Sequence, residues 1–282
     1  RRQRQMCIRD SIGTGTQDIF LYDSRLDIEN GIKLVVPSPT LIVSQRLHRA
    51  THQGQAVLLD GFTMGGGPSQ WAAEAHTKAG LSIYATPQAA RSFNDDLEAV
   101  MKMGIQIVTP EEAKRLPEDI LRLDMRDFNF SAIADALDKF DVSLRGLAAI
   151  AVAVFDHGEA PPGYSDRQFR FDYLAEHVRK DNRLTAFAYR ASEVPPQMTR
   201  MQAVVDSMIG LDIPLVVMDT APAAILGATL DPQLADKNRY LITNVGNFHT
   251  LAFRLGADGI EGVFEHHTGM LDCPKIDGLL QL

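Results

Sequence analysis

The sequence predicts a mixed α/β fold organised as two related lobes. Apolar strand-like runs alternate with stretches of helical period along most of the chain. Two glycine-bearing turns, within residues 12–19 and 244–251, each lie between strand patterns, and a strand meander follows each. Turns of this kind expose backbone N–H groups that can hold phosphate oxygens. Their duplication points to two lobes with a nucleotide between them.

After the first turn, residues 19–22 and 34–36 read as strands separated by a polar stretch. Residues 41–52 have helical character, and 56–59 form a buried strand pattern. The glycine loop Gly65-Gly66-Gly67-Pro68 follows, with Ser69 as the expected cap of a helix through Lys78. A strand at 81–85 and a helix at 95–103 come next. Thr109, Pro110 and Glu112 supply the cap, first-turn proline and third-position acid of another helix start. Residues 130–140 carry apolar positions at helical spacing, 148–155 form an apolar strand run, and 156–167 read as a loop. Met198, Met201, Val205 and Met208 share one helical face, a core-packing pattern. The segments 214–218, 221–228 and 240–243 then read as strand, helix and strand, with further strands at 249–255 and 260–264.

The 282 residues, 45% hydrophobic and 23% charged, have globular composition. No apolar run matches the length of a membrane span and no secretory signal opens the chain, so a cytoplasmic protein without a membrane partner is expected. A net charge of -8 argues against a broad nucleic-acid-binding face. Cys7 and Cys273 are too few for a disulfide framework or an iron–sulfur cluster. Residues 1–11 are basic and resemble translated sequencing adapter. They are therefore expected to be a non-native tail, with the strand before the first turn lost. Residues 12–235 would form the first lobe with insertions, and 236–282 an incomplete second lobe.

On the segment Gly13-Thr14-Gly15-Thr16-Gln17-Asp18, the chain resembles a prokaryotic family often labelled as related to pyruvate formate-lyase activating enzyme. The same turns are similar to those of the actin, sugar-kinase and chaperone ATPase superfamily. The label implies a cluster held by three closely spaced cysteines, which this chain lacks, so a radical activating enzyme is excluded. The superfamily resemblance implies actin-like, ribonuclease H-like lobes closing around ATP and magnesium. It assigns Gly13, Thr14, Gly15 and Thr16 to one phosphate turn, and Asn244, Gly246, Asn247 and Thr250 to the other. The aspartate expected to act through magnesium falls at Ser11, and Asn244 stands where a second aspartate is frequent.

Asp156 and Asp219 each follow an apolar run and are the candidate catalytic carboxylates, placed where a strand end would face a cleft. Each could orient or deprotonate an attacking hydroxyl, or else begin a turn or cap a helix. The implied activity is phosphoryl transfer to a small hydroxylated molecule, or ATP hydrolysis. His157, His249, His266 and His267 leave open a metal-dependent hydrolase, and a nucleotide-sensing regulator without turnover is a third alternative. Neither a Walker motif nor a Gly-x-Ser-x-Gly elbow is present.

Overall fold

The computed structural model describes residues 5–281. The first strands are β1 (Met6–Ile12), β2 (Thr16–Asp23) and β3 (Ile32–Pro37), followed by helix α1 (Pro39–Gln53). Next come β4 (Val57–Gly61), α2 (Pro68–Lys78), β5 (Ile83–Ala85), α3 (Pro87–Ala90), α4 (Leu97–Lys102), β6 (Ile105–Ile107), α5 (Pro110–Arg115) and β7 (Leu121–Met125). The middle of the chain holds α6 (Phe130–Asp138), β8 (Ala149–Val154), α7 (Asp166–Lys180), β9 (Ala188–Arg190), α8 (Thr199–Ser207), β10 (Leu215–Asp219) and α9 (Thr220–Ala228). Strands β11 (Tyr240–Val245), β12 (His249–Gly256) and β13 (Gly259–His267) precede α10 (Cys273–Leu280).

Three sheets result. The largest has the order β3-β2-β1-β8-β10-β9, in which β1, β2 and β3 form an antiparallel meander while β8 and β10 run parallel to β1. A parallel sheet of order β6-β5-β4-β7 is inserted between β3 and β8, and β11-β12-β13 form a separate antiparallel meander. Each sheet has its own apolar core, centred on Ile8 and Val152, on Leu59 and Ala85, and on Phe253 and Ile225.

Several sequence expectations change here. Residues 1–4 of the expected tail lie outside the described residues. Met6–Ile12, however, is an interior strand of the large sheet, paired on both sides, and not a tail. Met6, Ile8 and Ile12 point inward, but the fourth inward position is Asp10, which interrupts the apolar alternation. Helix α2 is capped by Gly67, with Pro68 at its first position; Ser69 is buried and bonded to the Thr40 hydroxyl at 3.1 Å. The methionine face is core, with Met198, Met201 and Met208 all buried. The capping box at Thr109 and Glu112 is present in full. No helix among the described residues is long and apolar enough to cross a membrane.

Candidate functional site

Three neighbouring parallel strands deliver their carboxyl ends to one edge of the large sheet. Strand β1 runs into Gly13–Gly15, β8 into Phe155 and Asp156, and β10 ends at Asp219, which is in register with Val154. The inserted sheet adds the loops after β4 and β7, which carry Gly65–Gly67 and Asp127. A Cβ built on Gly67 would lie 3.7 Å from the Thr14 side chain, so this loop borders the first turn.

The two glycine turns share a hydrogen-bond pattern. Gly13 N–H donates to the Thr16 carbonyl at 2.9 Å, and Gly246 N–H donates to the His249 carbonyl, also at 2.9 Å. In each unit the residue after the third strand braces the turn: Ser38 N–H donates to the Gly15 carbonyl, and Thr268 N–H to the Phe248 carbonyl. Both bracing residues add a hydroxyl bond, Ser38 Oγ to the Thr14 carbonyl at 2.5 Å and Thr268 Oγ1 to the Gly246 carbonyl at 2.7 Å. Ser38 also caps α1. This equivalence sets Ser11 against Asn244, each two residues before the turn glycine.

The turns also meet in space. A Cβ added to Gly15 would come within 2.7 Å of Asn247 Nδ2, so glycine is what permits the approach. Among the described residues, the N–H groups of Thr14 and Gly15 donate to no protein acceptor. Gly13, Thr14, Gly15, Thr16, Gly246 and Asn247 therefore lie in the facing turns, while Asn244 sits on β11 beside them. Thr250 is elsewhere: it is fully buried, its hydroxyl 3.0 Å from that of Thr268, and it supports the turn from beneath.

Beside the turns lies a cavity of about 650 Å³, within the size range of small-molecule sites. Gly65–Gly67, Arg91–Asp96, Phe155–Tyr164 and Arg200 contribute to its wall. Phe155 links it to the second turn by stacking on His249, with centroids 4.3 Å apart. Arg200 closes the floor, donating to both oxygens of Asp127 at 2.5 and 2.9 Å and to the Phe155 carbonyl at 2.7 Å.

The two candidate catalytic carboxylates do come together at this edge, but their oxygens are already engaged. Asp156 accepts from Gly158 N–H and Met201 N–H, both at 2.8 Å. Burial nevertheless pushes its carboxyl above the usual range, against those two bonds. Asp219 accepts a bidentate pair from Arg170 at 2.8 and 3.0 Å, caps α9 through Ala221 N–H, and takes Asp156 N–H at 3.1 Å. Arg170 also reaches Glu265 on β13 at 3.0 Å, tying the large sheet to the meander. Burial opposes the charge on Arg170, but Asp219 and Glu265 outweigh it and hold the guanidinium protonated.

Among the described residues, no group of three or more His, Cys, Asp and Glu side chains is placed to hold a metal ion. His249 lies 3.2 Å from Glu265 and His266 bonds the His267 carbonyl, while His157 and His249 each pack against the Phe155 ring, with centroids 6.1 and 4.3 Å away. Arg200, Phe155, Ser38 and Thr268 are site residues that no sequence motif marks. Each matters through partners distant in the chain.

A family profile described as "Putative pyruvate format-lyase activating enzyme (DUF1786)" matches residues 64–282. The chain belongs to this family. The matched region contains the glycine loop, the cavity wall and the second turn. The chemistry in the family's description does not fit the residues present: Cys7 lies on β1 and Cys273 on α10, and no third cysteine exists to complete a cluster site. Comparison with curated proteins gives no match.

Proposed function

We propose that this chain binds ATP with magnesium between its two glycine turns and transfers the terminal phosphoryl group to a small hydroxylated molecule, or to water, in the adjoining cavity. The approach of Gly15 to Asn247 carries this reading, because two hairpins with one hydrogen-bond pattern aim their turns at a common point. The unengaged N–H groups of Thr14 and Gly15 suit phosphate oxygens. The β3-β2-β1-β8-β10 order, antiparallel then parallel, is the arrangement expected of an actin-like lobe and supports the same view.

Magnesium is normally held by phosphates, waters and one or two carboxylates. Ser11 supplies no carboxylate, but Asp18 is its cross-strand partner on the same exposed face of the sheet. Asp18 is thus the carboxylate this chain offers the ion, which would neutralise charge on the phosphates. Asp156 and Asp219 act as positioning residues, fixing the cavity wall and the Arg170 bridge.

Calorimetric titration of MgATP into the unaltered chain, Ser11→Asp and Gly15→Val tests this. Ser11→Asp is expected to bind about tenfold more tightly, equivalent to ~1.4 kcal/mol, and Gly15→Val at least about tenfold more weakly. Failure of all three proteins to bind, or unchanged affinity in Gly15→Val, sinks the proposal.

A further inference from the structure

The carboxylates around the cavity differ in what holds their oxygens. Asp156 is engaged by two backbone N–H groups and Asp127 by Arg200. Glu159 pairs with Arg91 at 2.9 Å, and Asp96 accepts from Glu98 N–H at the start of α4. Asp95 stands apart. It is half-buried in the cavity wall and makes no hydrogen bond among the described residues.

The charged groups acting on Asp95 come from two segments of the cavity wall that the Arg91–Glu159 pair joins: His157, Glu159 and Asp166 from one, and Arg91 from its own loop. Desolvation is the main influence and raises its carboxyl above the ordinary range, with Glu159 and Asp166 adding to the rise and His157 and Arg91 opposing it. Both arginines in the wall are already paired with acids, whereas among the described residues Asp95 and Asp166 have no cationic partner within salt-bridge distance. An acceptor bearing a phosphate or carboxylate would therefore meet acidic groups and no free guanidinium.

We propose that Asp95 is the general base for the phosphoryl transfer, and that its acceptor is an uncharged polyhydroxylated small molecule; both rest on nucleotide binding at the two turns. Asp95 removes the proton from an acceptor hydroxyl as that oxygen bonds to the γ-phosphorus. The bond from this phosphorus to the β,γ-bridging oxygen breaks, and ADP leaves with the electron pair. The proton remains on Asp95 until it is released to water. General-base assistance of this kind contributes about 10²–10⁴-fold.

The test measures ADP release from saturating MgATP by the full chain, with water alone, with glycerol, D-ribose, D-glucose or myo-inositol, and with D-glucose 6-phosphate or D-glycerate. Neutral polyols are expected to accelerate turnover above the water rate, and the anionic compounds are not. Asp95→Asn is expected to lower kcat about 100-fold or more, leave KM for ATP within about twofold, and abolish the acid limb of the kcat profile. Asp95→Glu should restore part of the rate and the limb, which separates lost chemistry from a folding defect. Preference for the anionic acceptors, no acceleration by any polyol, or a retained rate in Asp95→Asn overturns the proposal. So does a lack of turnover where calorimetry shows ATP bound. A lack of ATP binding instead brings down the underlying assignment of the turns.

Discussion

Asp10 occupies an inward position of a central strand among Met6, Ile8 and Ile12, where a carboxylate is costly. Gln17 Nε2 donates to one of its oxygens at 2.6 Å, and the other accepts no hydrogen bond among the described residues. Burial pushes its pKa up to about 7; the Gln17 bond opposes this, and Asp127 and Asp18 add to it. Between its unfolded value near 4 and its folded value near 7, the native state binds the proton that the unfolded state has released. Stability therefore falls as pH rises through this window and stays low above it. Asp10→Asn keeps the acceptor for Gln17 and removes the charge. Thermal unfolding should show the variant more stable by about 2–4 kcal/mol at pH 8 and nearly equal to the parent at pH 4. A gain of the same size at both pH values would place the effect in packing and not in ionisation.

Helix α7 makes the corresponding point for an element. Its inward residue at the junction of two sheets is Arg170, buried between Asp219 and Glu265. Removing this cation strips Asp219 of its bidentate partner and leaves Glu265 with His249 alone, so Arg170→Met should cost about 3–5 kcal/mol in urea unfolding. A loss below about 1 kcal/mol would show that the bridge is not what joins the meander to the large sheet. The same arginine explains why α7 is hard to see in the sequence: a charge stands where the apolar stripe should run, and a proline-bearing loop precedes it. Strand β1 is obscured in the same way by Asp10. By contrast, β8 and β10 are legible because their inward positions are mostly apolar, the middle of β2 because Ile19 and Leu21 alternate there between the buried Gln17 and Asp23, and α5 because its capping box is local. Both glycine turns are visible as local patterns. Asp95 is not, since what distinguishes it is the cavity wall it shares with residues 157–166, far along the chain.

At the scale of the whole molecule, the three sheets meet where the turns face one another. Thr14 from the large sheet borders Gly67 from the inserted unit, and Asn247 from the meander borders Gly15. Trp71 on α2 lies at the same junction, half exposed, with its ring 5.8 Å from that of Phe248 in the second turn. It is the only tryptophan in the chain, so its emission reports this junction without interference from another indole. Phosphate held by both turns would change the spacing or hydration of the Trp71–Phe248 pair, because Phe248 is part of the loop that must reorganise around it. Titrating MgATP should therefore change tryptophan emission saturably, with the same Kd as calorimetry, and Gly15→Val should weaken both signals together. Heat of binding with silent emission would mean that Phe248 does not respond to the ligand, and that nucleotide engages the first turn without drawing the meander toward it.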